Sequence, residues 1–252
     1  MLEIAVVILA GLAAGGINAV VGSGTLVTFP ALIALGYPPV VATMSNAIGL
    51  VAGGVSGAWG YRREIAAQKR TVLMLLPASA LGALTGSFLL LALPDDTFEI
   101  VVPVLLVAAL GLVVVQPRLQ KWVATRRSDA AVAVSPSLVL AVYLVGVYGG
   151  YFAAAQGVLL MGVLGVMLAQ DLQMSNGLKN LLVGVVNLLA AITYTVVAFD
   201  RIAWTVAACI AAGALVGGWL GAKYGRLLSP RVLRTVIVLL GLTALARIVL
   251  TG

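Results

Sequence analysis

Apolar residues run in blocks along this chain, divided by short polar or basic stretches. Six blocks have the length of one membrane-crossing helix: about 39–60, 71–92, 98–115, 178–198, 202–222 and 232–250. A helix needs about 20 apolar residues to cross the hydrocarbon core, whereas a barrel strand needs about 10 and alternates in polarity. These blocks do not alternate, so the pattern predicts helices. Two further blocks fit no single helix. Residues 4–35 are interrupted by VGSGT (21–25) and Pro30, and residues 137–169 by YGGYFAAAQG (148–157). An unbroken helix of about 32 residues would be about 48 Å long, against a core of about 30 Å. Each block is expected as a hairpin of two short helices, or a re-entrant pair, turning at its Gly-rich stretch.

The order is a broken unit and three spans, a linker, then a broken unit and three spans. The halves match at an offset of about 133–135 residues. Gly15-Gly16 aligns with Gly149-Gly150, Asn46 with Asn180, and the GxxxG pair Gly82/Gly86 with Gly217/Gly221. The GxxxG pairs are expected as helix-contact faces. The expected fold class is an all-α membrane protein of two inverted-topology repeats, each a broken or hairpin helix unit followed by three transmembrane helices. The first repeat covers 1–116, a cytoplasmic linker 117–136 and the second repeat 137–252.

Composition supports a membrane setting. Of 252 residues, 62% are hydrophobic and 9% charged, against roughly 25% charged in a soluble domain. The net charge of +7 reads as cytoplasmic loops rather than nucleic-acid binding. Arg62, Arg63, Lys69 and Arg70 lie in one loop. Arg118, Lys121, Arg126 and Arg127 lie in the linker, and Lys223, Arg226, Arg231 and Arg234 in a late loop. The positive-inside rule makes all three cytoplasmic and puts PDDTFE (94–99) and the Asp200–Arg201 turn outside. The second-half counterpart of PDDTFE is basic SPRVLR (229–234), which motivates the inversion and places both termini outside. The N-terminal run carries Glu3 instead of a positive n-region and is expected as a retained membrane segment. Trp59, Trp122, Trp204 and Tyr61 stand near span ends as interface anchors. The single cysteine, Cys209, excludes an intrachain disulfide and reads as an apolar filler.

With no histidine, no convincing carboxylate pair and no P-loop, neither an enzyme nor a metal or cofactor site is expected. The chemistry left is polar residues inside apolar helices. Asn176, Lys179 and Asn180 share a helix face at i, i+3, i+4, continued by Asn187, and Thr43 and Asn46 share a face in the first half. Lys179 and the asparagine amides offer donors with no carboxylate deep in any span, which suits a small oxyanion. The alternative is a lysine that snorkels to the interface. The breaks could expose N–H groups at half-helix N-termini, with Ser23, Gly24, Thr25, Gln156 and Gly157 among their residues.

GGINAVVGSGTLVTFPALIALGYPPVVATMSN (15–46), YGGYFAAAQGVLLMGVLG (148–165) and NGLKNLLVGVVN (176–187) together resemble the sulfite exporter TauE/SafE family, also named for toluene sulfonate uptake. The resemblance implies transport of sulfite, of sulfonates such as sulfoacetate, or of related small organic anions, in a prokaryotic cell membrane. It implies the two breaks and the NGLKN helix as the site. In similar proteins the second break carries more glycine; here Ala153 and Ala155 stand at those positions. The expected function is alternating-access secondary transport of a small oxyanion. An anion channel with the same basic site and a non-transporting sensor are the alternatives. The expected partners are the anionic substrate and the lipid bilayer, with a homodimer allowed and the coupling ion left open.

Overall fold

A computed structural model describes residues 2–124, 134–168, 170–224 and 230–251. Among these the chain forms α-helices and one 3-10 turn, with no strand. In order, α1 is Leu2–Val20, α2 Thr25–Ala34, α3 Pro39–Gly60, α4 Arg62–Ala67, α5 Lys69–Ala92 and α6 Asp95–Ala124. Then α7 is Pro136–Tyr151, α8 Gln156–Met167 and α9 Leu172–Val197; after the 3-10 turn Phe199–Arg201 come α10 Trp204–Tyr224 and α11 Pro230–Thr251. Among the described residues, α1, α3, α5, the Asp95–Arg118 part of α6, α9 and α10 are long and apolar enough to cross a membrane. Their outward residues, such as Leu73, Ile100, Val104 and Val196, are exposed apolar side chains that suit lipid.

Local chemistry sets the boundaries. Pro39 and Pro136 open α3 and α7, where a missing N–H costs nothing. Asp171 caps α9 by accepting from Gln173 N at 2.9 Å, and Ser135 caps α7 by accepting from Leu138 N at 3.2 Å. α9 starts six residues before the expected start at 178, so Asn176, Lys179 and Asn180 sit inside a helix rather than at its entrance. The loop at 61–70 contains α4. The expected boundary at 116/117 falls inside α6, which continues past Pro117. Arg126, Arg127 and Arg226 lie outside the described residues.

Both long blocks break where the glycines predict. The chain turns at Gly22 with φ +84°, and a Cβ on Gly24 would lie 2.5 Å from the Ala14 carbonyl oxygen. The start of α2 therefore lies back along α1. Beyond α2, Tyr37 Oη donates to Glu3 Oε1 at 2.7 Å, so the end of this arm returns to the start of α1. The unit is a hairpin.

Glycine seams join the halves. A Cβ on Gly217 would lie 1.9 Å from Leu12 O, and one on Gly221 2.6 Å from Gly16 O, which locks α10 onto α1. A Cβ on Gly82 would lie 2.3 Å from Tyr143 O and one on Gly86 2.0 Å from Val147 O, which locks α5 onto α7. Both GxxxG pairs thus let two backbones touch. The Asp200–Arg201 turn stands beside the start of α6, where Arg201 pairs with Asp95. Trp59 is exposed as an anchor should be; Tyr61 is not, because it is buried against the start of α9 near Gly177. Cys209 is half-buried and free.

The second break holds two alanines at positive φ, Ala153 at 65° and Ala155 at 56°. Left-handed backbone costs an L-residue roughly 1–2 kcal/mol. Ala153 is half-buried, so Ala153→Gly loses little packing and should stabilise the protein by up to about 1 kcal/mol, after the added chain entropy of glycine. Ala155 is wholly buried, and Ala155→Gly should be near neutral because about 0.8 kcal/mol of methyl burial is lost. Thermal unfolding in detergent measures both; a lower midpoint for Ala153→Gly would show that the break is not strained.

Candidate functional site

A helix that ends inside an apolar interior exposes carbonyls that water cannot reach, and each one left unpaired costs several kcal/mol in hydrocarbon. α1 ends this way, and side chains and backbone from three other helices meet its last carbonyls and those of the two residues that follow it. Lys179 Nζ from α9 donates to Asn18 O and to Ala19 O, each at 3.1 Å. Asn180 Nδ2 donates to Ala19 O at 3.1 Å, and Gln116 Nε2 from α6 to Val21 O at 3.4 Å. Gly157 N, in the first turn of α8, donates to Gly22 O at 2.9 Å.

The last bond brings the two breaks together. A Cβ on Gly22 would lie 2.5 Å from Gly157 Cα, and one on Gly157 2.4 Å from Gly22 Cα. Only residues without side chains allow this approach. α2 begins three residues beyond this contact, at Thr25, and α8 begins at the contact itself. With 10 and 12 residues, they are about 15 and 18 Å long, each about half a hydrocarbon core.

Lys179 is 0% exposed. It does not snorkel: its stem lies against the first break, where a Cβ on Gly22 would come within 3.2 Å of its Cδ. Its ammonium caps the negative end of the α1 dipole, the favourable place for a cation. No carboxylate among the described residues pairs with it. Of the donors that the sequence offered to an anion, two of the three ammonium protons of Lys179 go to carbonyls. Its charge is met by dipoles rather than by a counter-charge.

Asn46, wholly buried on α3, ties α2 down. Its Nδ2 donates to Thr25 Oγ1 at 3.2 Å, and its Oδ1 accepts from Thr28 Oγ1. Ser23, Thr43 and Gln156 are buried, and Ser23 Oγ, Thr43 Oγ1 and Gln156 Oε1 have no partner among the described residues. Buried polar atoms are rarely left so. Ser23 follows Gly22 and Gln156 precedes Gly157, so two of the three flank the contact between the breaks. Gly149 makes room for the Gln156 amide, since a Cβ there would lie 2.2 Å from its Cδ. Gly24 caps α2 without side-chain help, and among the described residues no main-chain bond uses the N–H of Ser23, Gly24 or Thr25. Asn176 stands apart on the α4 side, buried, with its Oδ1 unpartnered among the described residues; its neighbour Gly177 packs on Glu64 and Tyr61. Asn187 is buried further along the same helix.

Sequence reasoning missed Thr28 and Gln116. Thr28 follows Thr25 by one turn on α2, which was the available signal. Gln116 falls one residue beyond the block ended at 115.

These features describe an all-helical, multi-pass membrane protein whose buried polar groups gather at two helix breaks. The chain belongs to the sulfite exporter TauE/SafE family, whose description it matches over residues 7–248. It is 24% identical to a "Probable membrane transporter protein" of Haemophilus influenzae, over 98% of this chain and 94% of that one. It is 23% identical to "Probable membrane transporter protein ORF9" of a Sinorhizobium species, over 97% and 92%. It is 28% identical to "Probable membrane transporter protein YfcA" of Escherichia coli K12, over 57% of this chain and 52% of that protein. No solved structure matches the chain.

Lys179→Leu removes the donor to Asn18 O and should destabilise the protein by about 1–3 kcal/mol. Lys179→Gln, which keeps an amide donor, should recover part of that loss. Unfolding midpoints of the two variants measure this. A leucine variant as stable as the parent would show that the end of α1 does not depend on the lysine.

Proposed function

We propose that the protein is a secondary transporter of a small oxyanion, sulfite or an organosulfonate such as sulfoacetate, working by alternating access in a prokaryotic cell membrane. The observation that carries this reading is the contact of the two breaks at Gly22 and Gly157, close to where α2 and α8 begin, beside the buried Lys179. Helix N-termini carry partial positive charge and free N–H groups, which attract anions. Lys179 adds a cationic group; Ser23 Oγ, Thr25, Thr43 and the amides of Asn46, Asn180 and Gln156 add hydrogen-bonding groups at or near the breaks, and Asn176, on the α4 side of the same helix face as Lys179, would meet the anion on its way in. The family and the relatives' names, those of membrane transporters, support the same reading.

The halves are inverted-topology repeats in this account. Each gives a hairpin (α1–α2, α7–α8), a long helix (α3, α9) and two further helices (α5–α6, α10–α11). Each hairpin's first arm packs on the other half, α1 on α10 and α7 on α5. The basic loop at 62–70 on one side and the Asp95–Arg201 pair on the other set the orientation by the positive-inside rule, with both termini outside. Sites at the interface of such repeats, among broken helices, are the pattern of secondary transporters. Alternating access would open the Gly22–Gly157 contact to each side in turn.

Purified protein in liposomes should give saturable sulfite or sulfoacetate flux that is stimulated by the same anion on the far side. Ser23→Ala, which removes one unpartnered hydroxyl, should raise the half-saturating concentration about 10–100-fold, the worth of one charged hydrogen bond. Flux without saturation or trans-stimulation points to a channel. Unaltered half-saturation in Ser23→Ala removes the first break from the site.

A further inference from the structure

A second cationic feature lies far from the breaks in the chain. Between α3, α4 and α5 is an open cavity of ≈ 530 Å³ lined by Val55, Trp59, Ile65, Val72 and Leu73 among others. All its lining residues are apolar except Arg62 and Lys69. Val55, Trp59 and Leu73 are 62%, 66% and 73% exposed, so the cavity opens sideways from the protein. Arg62 is fixed at its rim: Nη1 donates to Trp59 O at 3.1 Å, and the guanidinium lies 5.2 Å from the centre of the Trp59 ring. Lys69 begins α5 on the same lining, with Arg63 and Arg70 as neighbours in sequence. The carboxylate on this short helix, Glu64, is turned toward α9, where a Cβ on Gly177 would lie 3.0 Å from its Cβ. The ion pair found among the described residues, Arg201–Asp95, involves neither cation.

We propose that this groove is a binding site for one anionic phospholipid, its acyl chain against the apolar walls and its phosphate between Arg62 and Lys69. Charge complementarity selects this occupant. A zwitterionic lipid would fill the walls but leave two cations without a net negative partner. A free anion would satisfy the cations but has no use for a wall of valine, leucine and tryptophan. A basic pocket between membrane helices is the known chemistry of anionic headgroup recognition, and each cation near a membrane surface adds about 1 kcal/mol for anionic lipid. Trp59, amphipathic and set at the end of α3, marks the headgroup level.

Trp59 also reports the occupant. In a protein keeping Trp59 alone, with Trp122, Trp204 and Trp219 replaced by Phe, brominated phosphatidylglycerol should quench its fluorescence with about tenfold preference over brominated phosphatidylcholine. Arg62→Gln combined with Lys69→Gln should abolish that preference while leaving quenching by phosphatidylcholine unchanged. If the triple Phe background does not fold, mass spectrometry of the otherwise unmutated protein released from mixed-lipid nanodiscs gives the second reading. One retained phosphatidylglycerol, lost in the Gln pair, is the result expected. Equal quenching or retention of the two lipids overturns the proposal. So does a Trp59 shielded from both lipids, which would assign the groove to a second copy of the chain.

Discussion

The end of α1 is the constraint on which the rest depends. A helix stopped inside the protein must find donors for its last carbonyls, and no water is available in an apolar interior. Lys179 and Asn180 supply them, Gln116 and the Gly157 N–H do the same for the two residues that follow, and each comes from elsewhere in the chain. Satisfying the helix end and the turn after it therefore draws α6, α8 and α9 to a single point. The glycine seams between α1 and α10 and between α5 and α7 follow the same logic, because small residues let backbones approach closely enough for that point to exist.

The same constraint explains why a charge can be buried without a counter-ion. Burying an isolated ammonium is costly, but the carbonyl end of a helix is a fixed negative dipole. It offsets part of the cost of burying the lysine. The amine stands beside the contact between the two breaks, close to where α2 and α8 begin. A negative ligand arriving there would find a site organised before it binds. Donors set in advance are what give electrostatic recognition its strength in a dry interior.

Much of this architecture was legible in the sequence, because apolar block length and glycine punctuation are strong signals. The α3 boundaries read from the pattern, 39–60, are those observed, and both breaks fall at their Gly-rich stretches. The weaker readings share one cause, namely that a one-dimensional pattern does not say what a polar atom touches. Lys179 could be read as a binding residue or as a snorkelling one; its capping of a helix 160 residues away could not be read at all. Gln116, being polar, reads as lying beyond its span, and Tyr61, being aromatic, reads as an interface anchor. Both are buried. The alanines at 153 and 155 signalled a departure from the family pattern, but only the backbone shows that they keep a conformation better suited to glycine.

The central claim is that Lys179 does two jobs, closing the end of α1 and presenting charge to an anion. The direct measurement is the affinity of sulfite or sulfoacetate for purified Lys179→Gln compared with the parent protein, by calorimetry in detergent. The substitution keeps a hydrogen-bond donor and removes the charge. The account predicts affinity weakened by about 10–100-fold, the loss of one charged hydrogen bond, in a protein that still inserts and folds. Parent-like affinity in Lys179→Gln would contradict it and leave the lysine as a structural cap alone.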